Sequence, residues 1–143
     1  MPSEQPVSLP GILLLLCGIL VILTPWYIFP VCEHYGNYVV TQTGMQLPMA
    51  CGWTARAETG LGILLIVTGG ILLARNSEET RRATGIFSAA IGVLVILTPT
   101  VLIGMCKAAD HPCRLLTLPG LEIIGIVTIV IGGYLVWKRE PDA

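Results

Sequence analysis

Four apolar stretches, each near the ~20 residues that carry a helix across a hydrocarbon core about 30 Å thick, leave this chain few ways to fold. They run approximately over residues 9–29, 55–74, 83–104 and 118–137. Only 12% of residues are charged and 54% are hydrophobic, whereas a soluble domain carries roughly a quarter charged residues. Lipid, not water, is the solvent this composition suits. The expected fold is all-α, a four-transmembrane-helix bundle forming a single membrane domain over residues 1–143. The net charge of −1, with no cluster of Lys and Arg, argues against a nucleic-acid partner.

The first stretch differs from a secretory signal. Met1–Ser8 contains no Lys or Arg, and the apolar run continues into Pro25-Trp26-Tyr27 without a small-residue cleavage site, so a retained helix is expected. Arg75, Arg81, Arg82, Lys138 and Arg139 follow the second stretch or the fourth, against Arg56, Lys107 and Arg114 on the other side. The positive-inside rule then puts both termini in the cytoplasm and the two cysteine-bearing loops outside.

The chain also repeats itself. Residues 11–25 align without gaps onto residues 85–99 with nine of fifteen positions identical, and Cys32 and Cys106 each lie seven residues beyond the aligned prolines. Two parallel helical-hairpin repeats are expected, one over 9–74 and one over 83–137, related by an axis along the membrane normal. Each helix carries two glycines seven apart, at 11 and 18, 62 and 69, 85 and 92, and 125 and 132. Such stripes let backbones approach closely where no hydrophobic force draws helices together. Thr24-Pro25 and Thr98-Pro99 should bend or end their helices, because proline removes a backbone donor. Trp26, Tyr27, Tyr35 and Trp53 read as an outer aromatic belt and Trp137 as the inner anchor.

Four of the five cysteines, Cys32, Cys51, Cys106 and Cys113, fall in the outward loops, one pair per repeat. In an oxidising compartment two structural disulfides are the default, most simply Cys32 to Cys51 and Cys106 to Cys113, with two other pairings open. Cys17, inside the first helix, reads as a small apolar filler. A redox role competes. The chain resembles quinone-linked oxidases in layout only, since their exchangeable Cys-x-x-Cys pair is replaced here by separations of nineteen and seven positions. A metal role also competes: His34, Met45, Met49, Met105 and His111 join the cysteines as soft or borderline ligands suited to copper(I) or haem iron. The first expectation is no cofactor, with quinone, copper and haem as alternatives.

Three charges enter the membrane region, Arg56, Glu58 and Glu122. Intramembrane charges turn inward and pair. Arg56 and Glu58, two positions apart, face different ways on one helix, and Arg56 is expected to reach Glu122 or the water interface. Counted from Cys51 and Cys113, Glu58 and Glu122 stand in roughly equivalent places.

The stretch Met49-x-Cys51-x-Trp53-Thr54-Ala55-Arg56-Ala57-Glu58, preceded by a Cys32-bearing loop and followed by a glycine-rich helix, resembles a family of small uncharacterised four-helix membrane proteins from bacteria and archaea. Gly52 stands where the motif leads one to expect histidine. The resemblance implies a multi-pass protein of a prokaryotic plasma membrane with neighbours that include export-type transporters, and it carries no catalytic residue over. No phosphate-binding loop, nucleotide fingerprint, metalloprotease motif or Ser-His-Asp set occurs in the sequence. The expected function is that of a non-enzymatic accessory or assembly subunit whose braced outer loops engage another membrane or extracytoplasmic protein.

Overall fold

A computed structural model describes residues 9–28, 38–48, 50–75, 77–104 and 113–138. Among these are four long helices, α1 (Leu9–Leu23), α2 (Ala50–Ala74), α3 (Glu78–Leu97) and α4 (Leu118–Trp137). With their flanking turns they give four segments long and apolar enough to cross a membrane: Leu9–Ile28, Gly52–Ala74, Glu78–Leu102 and Arg114–Trp137. α1 packs on α2, α2 on α3, α3 on α4, and α4 back on α1, which closes the four into a ring.

Two helices begin earlier than the apolar pattern suggests. α2 starts at Ala50, so the Cys51 backbone is helical and not in a loop. α3 starts at Glu78 because Ser77 caps it, its hydroxyl accepting from the Thr80 amide at 3.3 Å, and because Glu78 and Glu79 suit the positive end of a helix. Both prolines act where expected. The α-helix gives way to a wider π turn at Thr24–Ile28 and again at Thr98–Leu102. Pro25 and Pro99 cannot donate to the preceding turn, and the hydroxyls of Thr24 and Thr98 donate to the carbonyls of Leu20 and Leu94 at 2.6 and 2.7 Å. A third π turn, Cys113–Thr117, leads into α4.

The bundle is built inside out by the standards of a soluble protein. Its core combines Leu14, Val21, Leu65, Leu72, Val95 and Leu121 with small and hydroxyl side chains such as Thr54, Ser88, Thr117 and Thr128. Ile63, Ile71, Phe87 and Val130 meanwhile stand exposed on its outside, where hydrocarbon would receive them. Glycine sets the spacing. A Cβ at Gly18 would lie 2.7 Å from the Gly62 carbonyl oxygen, and one at Gly92 would lie 2.8 Å from that of Gly125. One turn pair further along, Gly69 would meet the Gly11 carbonyl at 2.9 Å and Gly85 that of Gly132 at 2.7 Å. All eight striped glycines are therefore contact points at which backbone touches backbone.

Between α1 and α2 lies an element that the apolar pattern did not suggest, a two-stranded antiparallel hairpin of β1 (Tyr38–Val40) and β2 (Gln46–Pro48). Its turn is closed by bonds from Thr41 N–H to the Met45 carbonyl and from Gly44 N–H to the Thr41 carbonyl. Gly44 takes a φ of 81°, which only glycine adopts readily.

Candidate functional site

Residues 54, 55, 58, 62, 65, 69 and 72 form the buried stripe of α2, at the three- and four-residue spacing of one helix face. Glu58 belongs to that stripe and points into the bundle. Its side chain is 0% exposed, and neither carboxylate oxygen has a hydrogen-bond partner among the described residues. Leaving a carboxylate uncompensated in such surroundings costs several kcal/mol, so the group calls for a proton or a cation.

The surroundings of Glu58 tie the bends together. One turn before it, Thr54 is fully buried and donates from its hydroxyl to the Gly104 carbonyl at 2.8 Å, just beyond the π turn of α3. One residue after it, Thr59 accepts from Trp26 Nε1 at 2.9 Å, within the π turn of α1, while donating to the Ala55 carbonyl at 2.8 Å. Because Gly62 meets Gly18 in antiparallel packing, Glu58 sits one turn further toward this end, level with the Thr24-Pro25 bend. Thr24, Pro25, Thr98 and Pro99 are all buried. The carboxyl therefore lies in a layer of hydroxyls and bent backbone at the end of the bundle where α2 begins.

Registering the two hairpins on their glycine contacts identifies the matching positions in the other half. Glu58 precedes Gly62 by four residues, and Leu121 precedes Gly125 by four; Thr54 and Thr117 precede the same glycines by eight. Leu121 and Thr117 are, like Glu58 and Thr54, 0% exposed. The position matching Glu58 is thus Leu121, and Glu122, half-buried, matches Thr59 instead. A carboxyl occupies one half where a hydrocarbon side chain occupies the other.

The remaining expected site residues scatter. Arg56 is exposed, and its guanidinium lies over the Trp53 ring, 5.1 Å from the centroid, a cation–π contact suited to an interface. Cys17 is buried and unbridged within the core, as a filler would be. Met45 stands exposed at the tip of the hairpin. Cys32, His34, Met49, Cys106, Met105 and His111, and the side chains of Cys51 and Cys113, lie outside the described residues. Among the described residues no three His, Cys, Asp or Glu side chains gather in a metal-binding group.

Sequence reasoning missed the hairpin surface. Val40, Met45 and Leu47 are 65%, 64% and 44% exposed on a sheet with two strands among the described residues, so apolar side chains and strand edges that no described residue pairs share one small element outside the bundle. Gly44, a turn residue between Tyr38-Val39-Val40 and the Met45-Gln46-Leu47 stretch, is the signal that could have found it.

No curated protein and no solved structure matches the chain. The model of one protein family does match, over residues 14–138, which takes in α1 from Leu14 onward, the hairpin, α2, α3 and α4. The chain belongs to that family, described as a domain of unknown function, DUF4418.

Proposed function

We propose that this protein is a non-enzymatic accessory or assembly subunit of a prokaryotic plasma membrane, and that it engages another membrane or extracytoplasmic protein through the segment between α1 and α2. The exposed apolar hairpin carries this reading. Val40, Met45 and Leu47 present hydrocarbon beside strand edges left unpaired among the described residues, a combination suited to strand addition by a partner. Behind it stands a bundle whose helix pairs meet backbone to backbone at eight glycines, a rigid base on which to hold such a surface. In this reading the two hairpins arose by duplication, both termini are cytoplasmic, and Cys32, Cys51, Cys106 and Cys113 brace the outer segments in two disulfides. The longer first loop then holds the specific surface, and an export-type transporter is a fitting partner.

Photo-crosslinking in native membranes tests the reading. A photoreactive residue at Leu47 should give one discrete protein adduct, which Val40→Asp abolishes without lowering the amount of folded protein. The same probe at Ile63, exposed on the side of α2, should give lipid adducts. Lipid adducts alone at Leu47 would refute the docking role.

A further inference from the structure

A groove of about 510 Å³ opens between the first turns of α3 and the last turns of α4, at the end of the bundle opposite the hairpin. Its walls are apolar, with Ile86 and Ala89 on α3 and Val136 on α4. Its rim is cationic: among the described residues Arg81, Arg82 and Lys138 line it against one carboxylate, Glu78. Lys138 Nζ stands 5.7 Å from the centre of the Tyr134 ring, and Trp137, 87% exposed, also lines the groove.

Two adjacent glycines in the lining do different things. A Cβ at Gly132 would come within 2.6 Å of the Gly85 carbonyl oxygen, so this glycine is there for helix contact. A Cβ at Gly133 would meet nothing within 4 Å, so its missing side chain serves no packing within the bundle. What it does is leave the groove open.

The geometry points to an anionic phospholipid as the occupant, its phosphate held by Arg82 and Lys138 at the rim and an acyl chain lying against Ile86, Ala89 and Val136. The groove ends where the spans Glu78–Leu102 and Arg114–Trp137 end, the depth at which headgroups meet hydrocarbon and at which Trp and Tyr concentrate. Basic pockets between membrane helices hold anionic headgroups by charge, and guanidinium groups pair well with phosphate oxygens. A free phosphate would have no use for the apolar walls, and a zwitterionic lipid would gain less from the cations. The other hairpin carries less charge: Gly70 is as open as Gly133 and Arg75 stands where Lys138 does, six residues beyond the striped glycine, but the repeat aligns Val7 and Ser8 with Arg81 and Arg82.

Native mass spectrometry of the full chain in a neutral detergent, titrated with phosphatidylglycerol, phosphatidylcholine or inorganic phosphate, tests the assignment. One phosphatidylglycerol should be retained in preference to phosphatidylcholine. The variant Arg82→Gln/Lys138→Gln should bind it roughly thirty-fold more weakly, from about fivefold for each cation near a lipid surface. Gly133→Leu, which fills the groove and keeps every charge, should also lose the lipid, whereas Gly70→Leu should keep it. Equal retention of both lipids, undiminished binding in Gly133→Leu, or the same occupancy with inorganic phosphate alone would each overturn the proposal. Should the double variant fail to fold, the Gly133→Leu and Gly70→Leu pair decides it.

Discussion

Glu58 and Leu121 hold matching positions, each four residues before the glycine at which its helix crosses its hairpin partner, and each is fully buried. A leucine-sized side chain therefore fits such a position. Replacing even paired buried charges by hydrocarbon of similar volume is often neutral or stabilising by about 1–4 kcal/mol, and an uncompensated acid has less to lose. Glu58→Leu should raise the midpoint of thermal unfolding in detergent, and Leu121→Glu should lower it. A Glu58→Leu variant that unfolds earlier than the parent would mean that the carboxyl is satisfied by a partner group.

The glycine contacts make a prediction of opposite signs. At Gly18 an added methyl would sit 2.7 Å from a facing carbonyl, whereas at Gly70 it would meet nothing within 4 Å. Gly18→Ala should separate α1 from α2 and destabilise the bundle by about 1–3 kcal/mol, the range for overpacking. Gly70→Ala should stabilise it by about 0.5–1 kcal/mol through helix propensity alone. Reversible unfolding of the two variants in the same detergent checks both signs.

Thr54 holds the Gly104 carbonyl by its hydroxyl. Thr54→Val keeps the shape, removes the donor and leaves that acceptor without it, at a cost of about 1–3 kcal/mol. The loss should be local. Hydrogen exchange should quicken at residues 98–104 and stay unchanged around the Gly85 and Gly132 contact.

If the outer cysteines brace the loops, peptide mapping of unreduced protein should find Cys32, Cys51, Cys106 and Cys113 oxidised and Cys17 as a free thiol. Reduction should lower stability by about 2–4 kcal/mol per bridge. Pairs whose state follows an added quinone analogue would favour redox work over bracing.

Much of the architecture was legible because lipid imposes a length, and the four spans follow from counting apolar residues. The glycine stripes were legible too, since a seven-residue spacing survives into the contacts at Gly18 with Gly62 and Gly92 with Gly125. The start of α3 was not, because Ser77 and Glu78 act by capping and charge and lie outside the apolar window. The hairpin was not, because three-residue strands leave too short an alternation to read. The Glu58 site was half legible. Helical phase turns it inward, but its counterpart depends on which landmark sets the register. Counting from Cys51 and Cys113 aligns it loosely with Glu122, and counting from the glycines, where the helices touch, aligns it with Leu121.

The bonds from Trp26 to Thr59 and from Thr54 to Gly104 also impose an order on biogenesis. As the chain leaves the ribosome, α1 and α2 can close their glycine contacts and form the Trp26 bond at once, since both partners are already in the membrane. Thr54 must wait for a carbonyl fifty residues later. Until α3 is inserted, the early end of α2 carries an unmatched hydroxyl and the Glu58 carboxyl without the neighbours that bury them. The half-made protein thus differs from the finished bundle in the polar groups it exposes at one end of one helix.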